Sequence, residues 1–136
     1  MMTITETKKD LLTLLGRIGL SAIFVIFGFS KITGFAGMVA YAASSNVPFP
    51  ELAIVVAIVV ELIGGLMILF GFKTRFAALV IALFLIPVTI IFHSNFADPV
   101  NMGMFMKNLS IFGGMLVLAA HGAGRYSLDA KTEKLN

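Results

Sequence analysis

Glu61 is the one ionisable residue inside an apolar run from Leu52 to Phe72. That run is long enough to cross a bilayer, and a carboxyl group held in hydrocarbon must pair, take a proton or face water. Four other groups stand where they can answer it. Arg17 lies inside the first apolar stretch, and Lys31, His93 and Lys107 lie near the opposite ends of successive stretches. An acid and a histidine at membrane depth can hold and pass protons, so Glu61 and His93 are the candidate proton-handling residues. Arg17, Lys31 and Lys107, with the amide of Asn108, are the candidate ligand-binding groups for a molecule that carries or develops negative charge, because a fixed positive charge is strongest in a dry site.

Two pairings for Glu61 follow from spacing. Counted from the span ends, Arg17 is about six residues in from one face and Glu61 about ten from the other, so a long arginine side chain narrows the gap and an Arg17–Glu61 pair is geometrically open. In the other reading, Arg17 snorkels to headgroups and Glu61 stays neutral, hydrogen-bonded to a neighbouring helix. Lys107, about one turn into its own span, can also reach inward and compete. Pattern alone favours interfacial roles for Lys31 and His93 and an interfacial place for His121. The run Asn101–Lys107 contains three methionines, but they fall at alternate positions and spread around a helix without any Cys, so no metal site is expected.

Composition fixes the setting of these groups. The chain has 136 residues, 59% of them hydrophobic and only 12% charged, with a mean hydropathy of +1.01. A soluble domain is roughly 45–50% apolar and 25% charged, so this is an integral membrane protein. Its length leaves no room for an appended catalytic or nucleotide-binding domain, and no nucleotide, nucleophile-elbow or zinc-protease motif occurs. The absence of Cys excludes thiol redox chemistry and iron–sulfur ligation, so a redox role needs a borrowed cofactor. The net charge of +3 comes from scattered residues and not from a basic run, which argues against nucleic acid.

Four stretches, at about 11–30, 51–72, 76–92 and 103–120, predict an all-α, four-transmembrane-helix antiparallel bundle forming a single domain over 1–136. Lys8, Lys9, Arg17, Lys73, Arg75, Arg125, Lys131 and Lys134 then share one side, and the positive-inside rule makes that side, with both termini, cytoplasmic. The first stretch lacks a small-residue cleavage pattern and is expected to be retained. Lys31–Pro50 is rich in Gly, Ser and Pro and reads as a breaker segment, part of it on the membrane surface, whereas Gly71–Arg75 reads as a tight helical hairpin. Pro87 should bend the third span. Gly16, Gly19, Gly64, Gly65, Gly113 and Gly114, with Ala77, Ala78 and Ala82, mark where helices are expected to touch.

The segments LLGRIGLSAIFVIFGFSKITG (Leu14–Gly34) and ELIGGLMILFGFKTRFAAL (Glu61–Leu79), His93 after the third span and the ending HGAGRYSLDAK (His121–Lys131) together resemble the DoxX family, over nearly the whole chain. The resemblance implies a small four-helix protein of the bacterial inner membrane, in a family named for a subunit linked to thiosulfate:quinone oxidoreduction. It carries Arg17, Lys31, Glu61, His93 and Lys107 over as functional positions without a reaction attached.

Three functions fit these residues. In the first, the chain is an oxidoreductase-associated subunit that binds quinone within the bundle, with Glu61 and His93 handling protons and Arg17 or Lys107 stabilising a developing oxyanion. In the second, it is a non-catalytic scaffold, its buried charges specifying helix pairing and a loop or tail docking a protein partner or another copy of itself. In the third, it transports an anion or weak acid, although four helices form a thin pathway unless they oligomerise.

Overall fold

The computed structural model describes residues 4–133 and is built from helices. We number them α1 (Glu6–Thr33), α2 (Phe35–Ser44), α3 (Pro50–Phe70), α4 (Thr74–His93), α5 (Pro99–His121) and α6 (Leu128–Glu133). Four of them, α1, α3, α4 and α5, are long and apolar enough to span a membrane. Lys134 lies outside the described residues.

Local chemistry sets the ends. Thr5 caps α1, its side chain accepting from Lys8 N at 3.4 Å, and Asp98 caps α5, accepting from Val100 N at 3.0 Å with Pro99 next in line. The end of α3 is fixed twice. Gly71 takes φ +70°, and Phe72 N reaches back to Met67 O at 2.8 Å in a Schellman closure. A Cβ at Gly71 would also run into Nη1 of Arg17. The turn to α4 is completed by Lys73 in the left-handed region, and the tight hairpin forms where its residues predict it.

The core runs along the bundle axis through Phe24, Ile68, Ala77, Ala78, Ile81, Ala82, Leu85, Met115 and Leu118. Helix α4 packs most extensively on α5, and α1 packs along α3. Small residues set the second contact, since a Cβ on Gly28 would come within 2.7 Å of Leu62 N and one on Gly65 within 3.1 Å of Phe24 and Val25. Lipid offers no hydrophobic force between helices, so this close backbone approach carries much of the packing. Gly16, Gly19 and Gly113 behave otherwise than expected: a Cβ on each meets nothing within 4 Å. They sit on faces that α1 and α5 turn away from their neighbours, while Gly28 makes the tightest contact of the glycines between spanning helices.

Two local features depart from the simple four-rod picture. The breaker-rich connection after α1 folds its middle into α2, which packs on the first turns of α3. Inside α3, residues Val59–Ile63 form a π-turn centred on Glu61. The wider turn shifts the helix phase, so Glu61 is 9% exposed while Val59 and Ile63 on either side are 48% and 52% exposed.

Candidate functional site

Register between α1 and α3 decides what meets Glu61. With Gly28 against Leu62, Lys31 lies less than a turn further along α1, and its Nζ sits 2.8 Å from Glu61 Oε2. This is an ion pair by distance with an off-line hydrogen-bond angle, and both side chains are largely enclosed, at 16% and 12% exposure. Lys31 therefore bends inward along its stem instead of anchoring at the interface. It is the counter-charge that Glu61 uses.

Arg17 does not pair with Glu61. It lies eleven residues from Gly28 along α1, about 17 Å at the helical rise, beyond the reach of its side chain. Counting from assumed span ends misplaced it because α1 begins at Glu6, not near Leu11, and its register is set by the glycine contacts. Neither does it snorkel. It is 1% exposed, and its Nη2 donates to Tyr126 O at 2.5 Å, in electrostatic range of Asp129. Its role is at the other end of the molecule. There the segment after α5 is laced to the bundle: Asp10 accepts from Arg125 N, and Asp129 accepts from Lys73 N at 2.7 Å and Thr74 N at 3.0 Å. Arg75 donates to Ala119 O and Ala120 O, carbonyls left open at the end of α5. The GRYSLD ending thus caps α4 and closes over Arg17. Its only signal in the sequence is an acid four residues beyond a Gly–Arg step, which names no partner.

Around Glu61 two hollows meet. The outer one, about 490 Å³, lies between α2, the first half of α3 and the outer half of α4. Its walls are apolar, including Ala53, Ala57, Phe84 and Val88, and its polar end is formed by Lys31, Glu61 and His93. Several wall residues also face outward, among them Leu52 at 62% and Phe49 at 77% exposure, so the hollow opens sideways to lipid. Helix α2 closes it above, where Tyr41 stacks on Phe92 with ring centroids 5.3 Å apart. The contribution of α2 escapes sequence reading because its residues look like a linker.

The inner hollow, about 230 Å³, shares Lys31, Glu61, Val88 and His93 with the outer one and adds Lys107, Asn108 and Met104. Lys107 lies in electrostatic range of Glu61, its Nζ 3.8 Å from Met104 Sδ. His93 Nδ1 is 3.5 Å from Asn101 Oδ1, which couples the ring to the first turn of α5. Asn108 is buried and donates to Thr89 Oγ1 at 2.9 Å, so its amide clamps α4 to α5 at the wall of the hollow. Two lysines against one carboxylate leave the centre with an excess of positive charge in a low-dielectric setting, suited to a group that gains electron density.

A four-helix membrane bundle with one buried acid–base centre beside a lipid-facing apolar hollow is the class these features define. The DoxX family profile matches residues 12–94, and the chain belongs to the DoxX family. Among similar proteins, inner membrane protein YqjF of Escherichia coli is 47% identical over 93% of this chain and 95% of its own length. Inner membrane protein YphA of the same organism is 40% identical over 90% and 91%. The chain is accordingly an integral protein of the inner membrane. CatD of Bacillus subtilis, whose name carries a provisional oxidoreductase assignment, is 38% identical over 54% of each chain. No solved structure matches the chain.

Proposed function

We propose that the chain is a quinone-interacting subunit associated with an oxidoreductase, taking the quinone ring from the bilayer through the side opening of the outer hollow. The observation that carries this reading is the hollow itself: an apolar, laterally open space within the roughly 300–1,000 Å³ range of small-molecule sites, with its polar groups gathered at one end. The oxidoreductase assignment in the name of CatD is in keeping with it.

The donor set fits a carbonyl head. Lys31 and Lys107 present ammonium donors, and Glu61 and His93 are groups that hold and release protons. A bound quinone would supply two-electron, two-proton chemistry at its carbonyl oxygens. The residues of this chain do the rest: the apolar walls exclude water, the Lys31–Glu61 pair fixes the head, and the lysines hold positive charge where electron density rises. With no Cys in the chain, electrons must come from a partner.

The test is quinone content after gentle purification from native membranes, for wild type, Glu61→Gln and Ala53→Phe. Wild type should retain quinone; Ala53→Phe, which fills the hollow and leaves the charges alone, should lose it; Glu61→Gln should weaken retention by about tenfold, equivalent to 1.4 kcal/mol. Equal quinone in all three, or none in wild type, defeats the proposal. If wild type lacks quinone and Glu61→Gln instead loses a co-purifying protein, the scaffold function takes its place.

A further inference from the structure

A third hollow, about 700 Å³, lies at the opposite end of the bundle, between the start of α4, the end of α5 and the segment that follows it. Its lining is unlike that of the first. Lys73, Arg75, His121 and Arg125 face it, against two acids, Asp129 and Glu133. Asp129 is already engaged, both its oxygens accepting from the backbone at the start of α4. The remaining balance is therefore positive, with three permanent cations facing one uncommitted carboxylate. Thr74 also lines the hollow, fully buried, and its hydroxyl has no partner among the described residues.

Depth identifies what meets these groups. The hollow sits at the first turn of one spanning helix and the last turn of another, and Phe76 on its rim is 63% exposed and points outward. Phe76 directly follows Arg75, and an exposed phenyl ring beside permanent cations at a span end sets the hollow where acyl chains give way to headgroups. The wall formed by residues 122–130 is held in place by Arg17, Asp10 and Asp129, so the cavity exists before anything enters it.

We propose that this hollow is a site for the phosphoryl headgroup of an anionic phospholipid, its acyl chains lying along Phe76 and the outer face of α4. Lys73 and Arg125 supply the mobile charge, since neither side chain has a hydrogen-bond partner among the described residues. Arg75, tied to the end of α5 through Nη1, can still present its other nitrogens. A bound headgroup would bridge α4 to the carboxy-terminal segment and tighten that end of the bundle. The site is separate from the quinone hollow and does not depend on it.

The test is native mass spectrometry of the full chain released from nanodiscs, with phosphatidylglycerol titrated against phosphatidylcholine. Wild type should favour phosphatidylglycerol by on the order of tenfold. The Lys73→Asn/Arg125→Gln variant, in which Asn suits the left-handed backbone at position 73, should bind both lipids alike. Its thermal midpoint in phosphatidylcholine should match that of wild type, showing that the fold survives. Equal binding of the two lipids by wild type, or selectivity that persists in the variant, overturns the proposal. Inorganic phosphate that abolishes the selectivity at millimolar concentration assigns the site to a free anion and overturns the lipid assignment.

Discussion

At the scale of single residues, the Lys31–Glu61 pair is the feature with the largest energetic consequence. Two charges enclosed in a low dielectric are tolerated only together, and removal of one partner typically costs about 3–5 kcal/mol while removal of both is close to neutral. Lys31→Met should therefore lower the thermal midpoint in detergent markedly, and Lys31→Met/Glu61→Gln should recover most of the loss. Lys107→Met should lower it less, because Lys107 acts on Glu61 without contact. A double variant no more stable than Lys31→Met would show that the pair is not coupled. The presence of a lone acid at membrane depth was legible from Glu61 and its apolar neighbours. The identity of its partner was not: counting along helices left Arg17 and Lys107 in competition and assigned Lys31 to the interface. Only the contact of Gly28 with Leu62 singles out Lys31.

At the scale of elements, the α1–α3 contact depends on absent side chains, most tightly at Gly28. A methyl group at Gly28 would press on the backbone and Cβ of Leu62, which cannot rotate away. Gly28→Ala should destabilise the protein by about 1–3 kcal/mol through overpacking. Gly19→Ala, with open space around it, should leave the thermal midpoint unchanged. A loss for Gly19→Ala matching that for Gly28→Ala would place the helix contact on the wrong face of α1. Glycine count alone does not reveal this difference, because Gly16, Gly19 and Gly28 share an apolar helix, and the side buried depends on the partner. The π-turn at Val59–Ile63 is equally silent in the sequence, since nothing in VVELI distinguishes a wide turn from an α-helical one.

At the scale of the whole molecule, four spanning helices bring the start of α1, helix α6 and the α3–α4 hairpin to one end, and the hollow beside α2 to the other. The basic residues Lys8, Lys9, Lys73, Arg75 and Arg125 collect at the first end, so we expect it to face the cytoplasm. Reporter fusions at either terminus should read as cytoplasmic, and single cysteines introduced at Ser45 and Asn95 should react with an impermeant maleimide from outside. Labelling of both loops only after the membrane is permeabilised would invert the topology. The opening of the hollow beside α2 would then face the other leaflet.

Class, span number and the position of the buried acid were set by the sequence itself, because hydropathy over about twenty residues and the cost of a charge in hydrocarbon are local properties of the chain. The order of the apolar motifs likewise carried the family, whose profile matches residues 12–94. What belongs to tertiary structure alone is everything that depends on one helix meeting another: Lys31 as the partner of Glu61, Arg17 locked under Tyr126, α2 as the roof of a cavity, and Asp129 as the cap of a helix far from it in sequence. Side-chain reach is several ångströms while helix register shifts by about 1.5 Å per residue, so a displacement of a few residues changes the partner. That register is settled by close packing at Gly28, Gly65 and Gly71.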